Sequence, residues 1–294
     1  MNAPRFHVVD VFAEQRYAGN PLAVVLGCDD LSDATMQAIA AETNYSETTF
    51  VDPRPEADGG WRVRLFTPAR EIDFAGHPIL GTAWVIRGHL APAASGSLRL
   101  NLRQAGVDVV FEADDAGEIG WFRAPPVSAG PTCDRASMAA ALGLTPEDID
   151  DRAPVQQYGA GTSAMIVPLR SLDALRRARL DLAAYAPLLA AGFPPLTYLC
   201  CRQTREPGSD LAARFFFEAH GVREDPATGN GAAFLGAWLL AHGWLGGDDL
   251  SLRIEQGHEL QRPSRVRLRA RRTESGDVIF VGGRVIPAFV GELA

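Results

Sequence analysis

The chain lacks most of what would tie it to a membrane, a nucleic acid or a metal. No stretch of its 294 residues approaches the roughly eighteen uninterrupted apolar residues of a membrane span. The N-terminal MNAPRFHVVDVFAEQ enters an alternating strand pattern without the basic, apolar and small-residue zones of a signal peptide, so a cytoplasmic protein with no membrane partner is expected. Positive charge is not in excess: 28 basic against 36 acidic residues gives −8. With no basic stripe and no RNA-binding aromatic motif, no nucleic-acid partner is expected. The arginines of RVRLRARR, 265–272, alternate with Val, Leu and Ala, as on a strand with one solvated face. Cysteine is scarce: Cys28, Cys133, Cys200 and Cys201 show neither CxxC nor zinc spacing, and the adjacent pair in LTYLCC points to opposite faces of a strand as packed thiols. The six histidines, at 7, 77, 89, 220, 242 and 258, show no ligand spacing either, so no metal is expected.

What is present is a repeat. LGTAWVIRGHL, 80–90, aligns without gaps to LGAWLLAHGWL, 235–245, matching Leu80 with Leu235, Gly81 with Gly236, Gly88 with Gly243 and Leu90 with Leu245. Downstream, SLRLNLRQAG from Ser97 resembles SLRIEQG from Ser251; upstream, VRLFTP at 63–68 resembles ARFFFE at 213–218. A chain of this length holds two domains comfortably, and the Pro, Gly and Ser of GWFRAPPVSAGPTC, 120–133, mark the join between halves 1–127 and 128–294. The final run, DVIFVGGRVIPAFVGEL, is placed to reach back across that join.

Each half reads strand, loop, helix, strand. FHVVDVF, LAVVL, TTFVD and VRLF are short β-branched or aromatic runs. Ser32 caps a short helix, DATMQAIAAE, whose Met36, Ile39 and Ala40 share a face. A longer helix is predicted to start at Pro78 and stop at Gly88; its counterpart runs from about Gly231 to His242 and stops at Gly243. Both are apolar all round, which predicts enclosure by sheet. In the second half, GTSAMIVPL takes the place of SETTFVD, and RSLDALRRARLDL reads as one surface helix. The expected fold is α+β: two pseudo-symmetric halves, each a curved mixed β-sheet wrapped around a central apolar helix.

Three stretches concentrate polar residues beside glycines: NYSETTFV at 44–51, DFAGHPILG at 73–81 and EDPATGNGAAF at 224–234. The last two precede the two buried helices. A helix N-terminus offers free N–H donors and partial positive charge, so two of them facing one pocket suit a carboxylate. Gly76, Gly229 and Gly231 would let backbone approach such a ligand. Each element also has a plainer reading. TGNGAA lacks the lysine of a phosphate loop and the dinucleotide fingerprint, Asp225 before Pro226 could be a turn former or cap, and His77 a cap in a loop. Asn44 and Glu47 have capping-box spacing, but a strand follows, so the capping explanation fails and Glu47 needs another reason.

AGNPLAVV at 18–25, NYSETTFV, RLFTPAREIDFAGHPILGTA at 64–83, EDPATGNGAA and the EQG at 255–257 resemble, in order, the motifs of the PhzF-like proteins, the phenazine-biosynthesis isomerase family. The likeness covers nearly the whole chain. It implies the diaminopimelate epimerase fold, which agrees with the repeat. It implies that Glu47, in the position of the family's acid, is the general acid/base, and that Gly76, His77 and Asp225 line the same pocket. Asn230 and Gly231 match a small polar residue and a glycine at the second helix start, and Asn20 of the first motif joins the expected substrate-binding set. Diaminopimelate epimerases use two cysteines in these glycine-rich loops; none of the four cysteines lies there, which disfavours a two-thiol racemase.

The expected activity is therefore a cofactor-free proton shift on a small carboxylate-bearing substrate, with the growing negative charge met by donors at helix ends. Glu47, in an apolar cleft, would have its pKa raised toward neutrality, while His77 and Asp225 orient the substrate. The well-known branch isomerises trans-2,3-dihydro-3-hydroxyanthranilate. An amino-acid racemase of the same fold, with Asp225 or His77 as second base, and a non-catalytic binder of small aromatic acids are the alternatives. Relatives are usually homodimers, for which surface around Trp121 or Phe289 is available.

Overall fold

The computed structural model describes residues 4–92, 96–217 and 222–293, so His220 lies outside the described residues. The chain forms two compact units, Met1–Arg123 with Gly282–Ala294, and Ala124–Val281.

The first unit contains β1 (Arg5–Val11), β2 (Asn20–Leu26), α1 (Asp33–Thr43), β3 (Thr48–Val51), β4 (Trp61–Phe66), β5 (Glu71–Ile72), α2 (Gly76–His89), β6 (Ser97–Asn101), β7 (Gly106–Asp114), β8 (Gly117–Arg123) and the last strand, Val285–Glu292. β2 runs antiparallel to β1, β3 parallel to β2, β4 antiparallel to β3 and β6 parallel to β4. β7 and β8 follow as antiparallel neighbours, and the last strand pairs antiparallel with β1 through an irregularity at Val8/Val9. A short helix beside this sheet, α1, is capped by the Ser32 side chain and presents Met36 and Ala40 inward with Ile39 packed alongside.

The helix α2 has no polar face: every residue from Gly76 to Ala83 is buried, as are Val85 and Ile86. It packs on β1, β2, β3, β6, β7, β8 and the last strand, so the mixed sheet curls around it. It starts at Gly76, earlier than expected, with Pro78 in its first turn, where the missing N–H costs nothing. It also runs through Gly88 to His89, because Leu90 and Ala91 both donate to the Ile86 carbonyl and close the last turn without a left-handed residue.

The second unit contains β9 (Ser128–Cys133), α3 (Arg135–Ala141), β10 (Val155–Ala160), β11 (Thr162–Leu169), α4 (Leu172–Arg177), α5 (Leu182–Ala190), β12 (Thr197–Cys201), β13 (Leu211–Phe217), β14 (Val222–Asp225), α6 (Gly229–His242), β15 (Asp249–Gln256), β16 (Ser264–Thr273) and most of β17 (Gly276–Gly283), whose end at Gly282 and Gly283 belongs to the first unit; the last strand is β18. Its sheet repeats the directions of the first: β10/β11 antiparallel, β11/β12 parallel, β12/β13 antiparallel, β13/β15 parallel. α6 lies against β10, β11 and β16, is buried on all sides, and ends at Gly243 in the left-handed region. In β16 Val266, Leu268 and Ala270 are buried while the arginines between them reach toward solvent. All four cysteines are free and buried.

Two expectations need correction. The registers equate Thr48, paired with Ala23 and Phe66, with Thr197, paired with Met165 and Phe216. TSAMIVPL is thus the counterpart of NPLAVVL, and TYLCC that of TTFV; the residue standing where Glu47 stands is Leu196. RSLDALRRARLDL is two helices: after Ala178 the N–H groups of Arg179 and Asp181 go to the carbonyls of Leu142 and Ala141, and Asp181 caps α5. Of the residues offered for self-association, Trp121 is buried in its own unit, its ring seated over Gly282, whereas Phe289 is exposed beside Tyr17.

α2 packs closely on β1 and β2. A Cβ on Gly81 would stand 2.6 Å from Leu22 Cδ2 and 2.8 Å from Val11 Cγ2. Gly81→Ala should destabilise the protein by about 1–3 kcal/mol through overpacking, seen as a lower denaturant midpoint; an unchanged midpoint would show that helix and strands are not this close.

Candidate active site

Glu47 owes its place to a chain reversal. α1 ends at Asn44 in the left-handed conformation, its N–H bonded to Ala40, and after Tyr45 and Ser46 the chain turns directly into β3. Thr48 is already fully buried between β2 and β4, so the carboxyl one residue earlier enters the interior with it and is 7% exposed. His77, the second residue of α2, comes from the other side and is equally buried. Its Nε2 lies 3.5 Å from Glu47 Oε2.

The state of that imidazole follows from its neighbours. The ring donates to the Pro21 carbonyl at the start of β2, one residue after the fully buried Asn20. Nε2 makes no hydrogen bond, so the donor is Nδ1. Burial lowers the pKa of His77 from 6.5 to about 3, the bond to Pro21 opposing this only weakly. His77 is therefore neutral at physiological pH and turns a lone pair toward the Glu47 carboxyl. A protonated Glu47 can donate to that lone pair; an ionised one cannot.

The second unit brings together Asp225, Gly229, Asn230 and Gly231. Asp225 ends β14 opposite Phe215 and is 7% exposed. Strand alternation sends its neighbour Glu224 the other way, into a buried two-point pair with Arg214 at 2.7 and 2.8 Å. Pro226 and Ala227 then turn the chain into α6, whose N-cap is Thr228. Thr228 does not cap its own helix; its hydroxyl donates to Asp225 Oδ2 at 2.5 Å. The N-cap of α2, Ala75, has no side chain to cap with, so neither helix start uses its N-cap side chain. Asn230, half-buried, follows Gly229 in the first turn.

Gly231 has a packing reason for lacking a side chain. A Cβ there would meet the Tyr198 ring at 2.4 Å, so its lack of a side chain makes room for Tyr198. Thr228, Tyr198 and Gln256 went unremarked as functional residues in the sequence. The EQG motif contains Gln256, but only the packing shows that its amide reaches the Asp225–Thr228 turn. Among the described residues no group of three or more His, Cys, Asp and Glu side chains is placed to hold a metal ion, and no helix is long and apolar enough to cross a membrane.

The fold, two units each with a sheet curled around an apolar helix, is that of a known class of isomerases. Residues 9–288 match the family model for phenazine biosynthesis-like proteins, PhzC-PhzF, and the chain belongs to that family. It is a PhzF-type isomerase. It is 37% identical to trans-2,3-dihydro-3-hydroxyanthranilate isomerase of Pseudomonas aeruginosa over 90% of each chain. It is 35% identical to an uncharacterized isomerase of Mesorhizobium japonicum, over 99% of this chain and 96% of that one. The crystal structure of a PhzF-family phenazine biosynthesis protein from Bacillus anthracis superposes with a TM-score of 0.91 over the whole of both chains at 24% identity.

The neutral imidazole has a pH signature. Because the folded value of His77 lies below 6.5, the unfolded chain takes up the proton first, and stability falls as pH drops from about 6.5 toward about 3. His7, stacked on His89 and lowered by burial to about 4, acts in the same direction. Each histidine contributes up to about 1.4 kcal/mol per pH unit in its window. Nitrogen NMR at about pH 5 should show His77 neutral with its proton on Nδ1; an imidazolium there would contradict the assignment.

Proposed function

We propose that this isomerase shifts a proton between carbons of a small carboxylate-bearing substrate, of the trans-2,3-dihydro-3-hydroxyanthranilate type, with Glu47 taking the proton and returning it. The observation that carries this reading is the buried Glu47 carboxyl 3.5 Å from the lone pair of a neutral His77. As carboxylate, Glu47 removes a proton from carbon, and the negative charge spreads over the substrate's π-system and carboxylate. As carboxylic acid, it donates toward His77 Nε2, which holds the proton in place until it is delivered to the second carbon. Asp225 orients the substrate's amine or hydroxyl, with Asn20, Gly76, Gly229 and Asn230 as further binding positions.

A one-base shift fits this chain better than a two-base racemisation. The counterpart of Glu47 in the second unit is Leu196, 3% exposed and unable to carry a proton. The helix N-caps are Ala75 and Thr228, while the thiols sit at Cys28, Cys133 and in β12. The chain contains no lysine, so no Schiff-base route is open to it. The proposal includes a cofactor-independent reaction in the cytoplasm, which suits four free thiols, and a homodimer, for which the exposed Tyr17, Phe289 and Val290 offer apolar surface.

Proton NMR of trans-2,3-dihydro-3-hydroxyanthranilate in deuterated buffer tests this. Wild-type protein should isomerise the substrate with deuterium entering at carbon, and Glu47→Gln should slow this by about 10²- to 10⁴-fold. Equal rates for both would remove Glu47 from the chemistry; silence from both would remove this substrate.

A further inference from the structure

Resting on the reading that Asp225 serves the isomerisation, we propose that Gln256 is a positioning residue for that reaction: its amide sets the direction of a buried hydrogen-bond relay in which the Thr228 hydroxyl donates to the Asp225 carboxylate.

The direction is dictated by the backbone. Gln256 is 1% exposed at the end of β15. One side of its amide meets the Asp225 carbonyl at 2.9 Å, a group that can only accept, so Nε2 must lie there. The other side meets the Thr228 N–H at 3.3 Å, a group that can only donate, so Oε1 must lie there. The second Nε2 hydrogen then points at Thr228 Oγ1, 3.1 Å away, which has to accept it. The hydroxyl's one proton is left for Asp225 Oδ2 at 2.5 Å. Tyr198 completes the amide by donating to Oε1 at 3.4 Å. Both hydrogens of Nε2 are used, and Oε1 accepts twice.

The strand end is clamped against the same turn. Gly257, at φ +78°, has no room for a Cβ, which would fall 2.5 Å from the Pro226 carbonyl oxygen and 2.4 Å from that of Arg262. The other ionisable groups nearby are spoken for: Glu224 is paired with Arg214, and Glu255 with Arg205 and two backbone N–H groups. Burial, reinforced by Cys200 and Asp225, keeps the Tyr198 phenol protonated, and burial likewise keeps Cys200 a thiol. Glutamate at 256 would have the shape of glutamine and the wrong polarity: its oxygens would claim the Thr228 proton and leave Asp225 without it.

The test uses full-length protein labelled with carbon-13 at the aspartate carboxyls, the Asp225 signal being assigned by its loss in Asp225→Asn. The carboxyl titration is followed in wild type, Thr228→Val, Gln256→Glu and Gln256→Leu, with circular dichroism confirming the fold. Loss of a donor to the charged form should move the Asp225 midpoint upward in Thr228→Val and Gln256→Glu, and less in Gln256→Leu, where the Thr228 hydroxyl keeps its proton but loses the amide that aims it. An unmoved midpoint in Thr228→Val, which keeps the shape of the side chain, would overturn the relay even if both Gln256 variants failed to fold. In turnover, Gln256→Glu should lower kcat by up to about a hundredfold with little change in KM, and the double variant with Thr228→Val should be no worse. Independent, multiplying effects, or a change in KM alone, would overturn the positioning role. Because the titration needs no substrate, an upward shift without turnover would remove the isomerase reading and leave the relay standing.

Discussion

A helix with no polar face can be stable in water only inside something else, and that constraint governs both units of this protein. α2 and α6 are apolar on every side, so their sheets have to curve around them, and both units do so with the same alternation of parallel and antiparallel neighbours. Enclosure also buries the helix starts. Neither N-cap side chain satisfies its own helix, and these are the places where the chain puts His77 in the first turn of α2, and Thr228 with Asp225 ahead of α6.

The same desolvation shapes the chemistry. An imidazole taken out of water stays neutral, and one bonded through Nδ1 to a carbonyl has only a lone pair to offer on its far side. Set 3.5 Å from the Glu47 carboxyl, that lone pair can accept a hydrogen bond from a protonated acid and not from a carboxylate. In the second unit the Asp225 carboxyl instead accepts a hydrogen bond from the Thr228 hydroxyl. Two carboxyl groups in one chain thereby face neighbours of opposite kind, an acceptor beside Glu47 and a donor beside Asp225. That is how a protein assigns distinct tasks to chemically similar side chains.

Much of this was legible in the sequence. The gapless match of the two helices revealed the repeat, and Glu47 stood out because an acid between a helix and a strand had no capping duty to perform. Errors arose where local signals compete with packing. Gly88 resembles a helix stop, yet Ile86 accepts the last bonds and the helix continues. GTSAMIVPL resembles SETTFVD in its polar start and apolar run, but strand pairing, not composition, identifies its counterpart as NPLAVVL. Gly231 was read only as backbone open to a ligand, and the packing adds that its missing side chain makes room for the Tyr198 ring. Gln256 could be seen only as part of a motif, because β15 reaches the Asp225 turn from 31 positions further along the chain.

The central claim is that one buried carboxyl both removes and returns the proton. The most direct measurement is a single-turnover experiment in ordinary water with trans-2,3-dihydro-3-hydroxyanthranilate deuterated at the carbon that loses its hydrogen. If Glu47 alone handles the proton and His77 holds it, part of the deuterium will reappear at the receiving carbon of the same molecule. Turnover with no label at that carbon, the deuterium passing entirely to solvent while a different group supplies the new proton, would contradict the account.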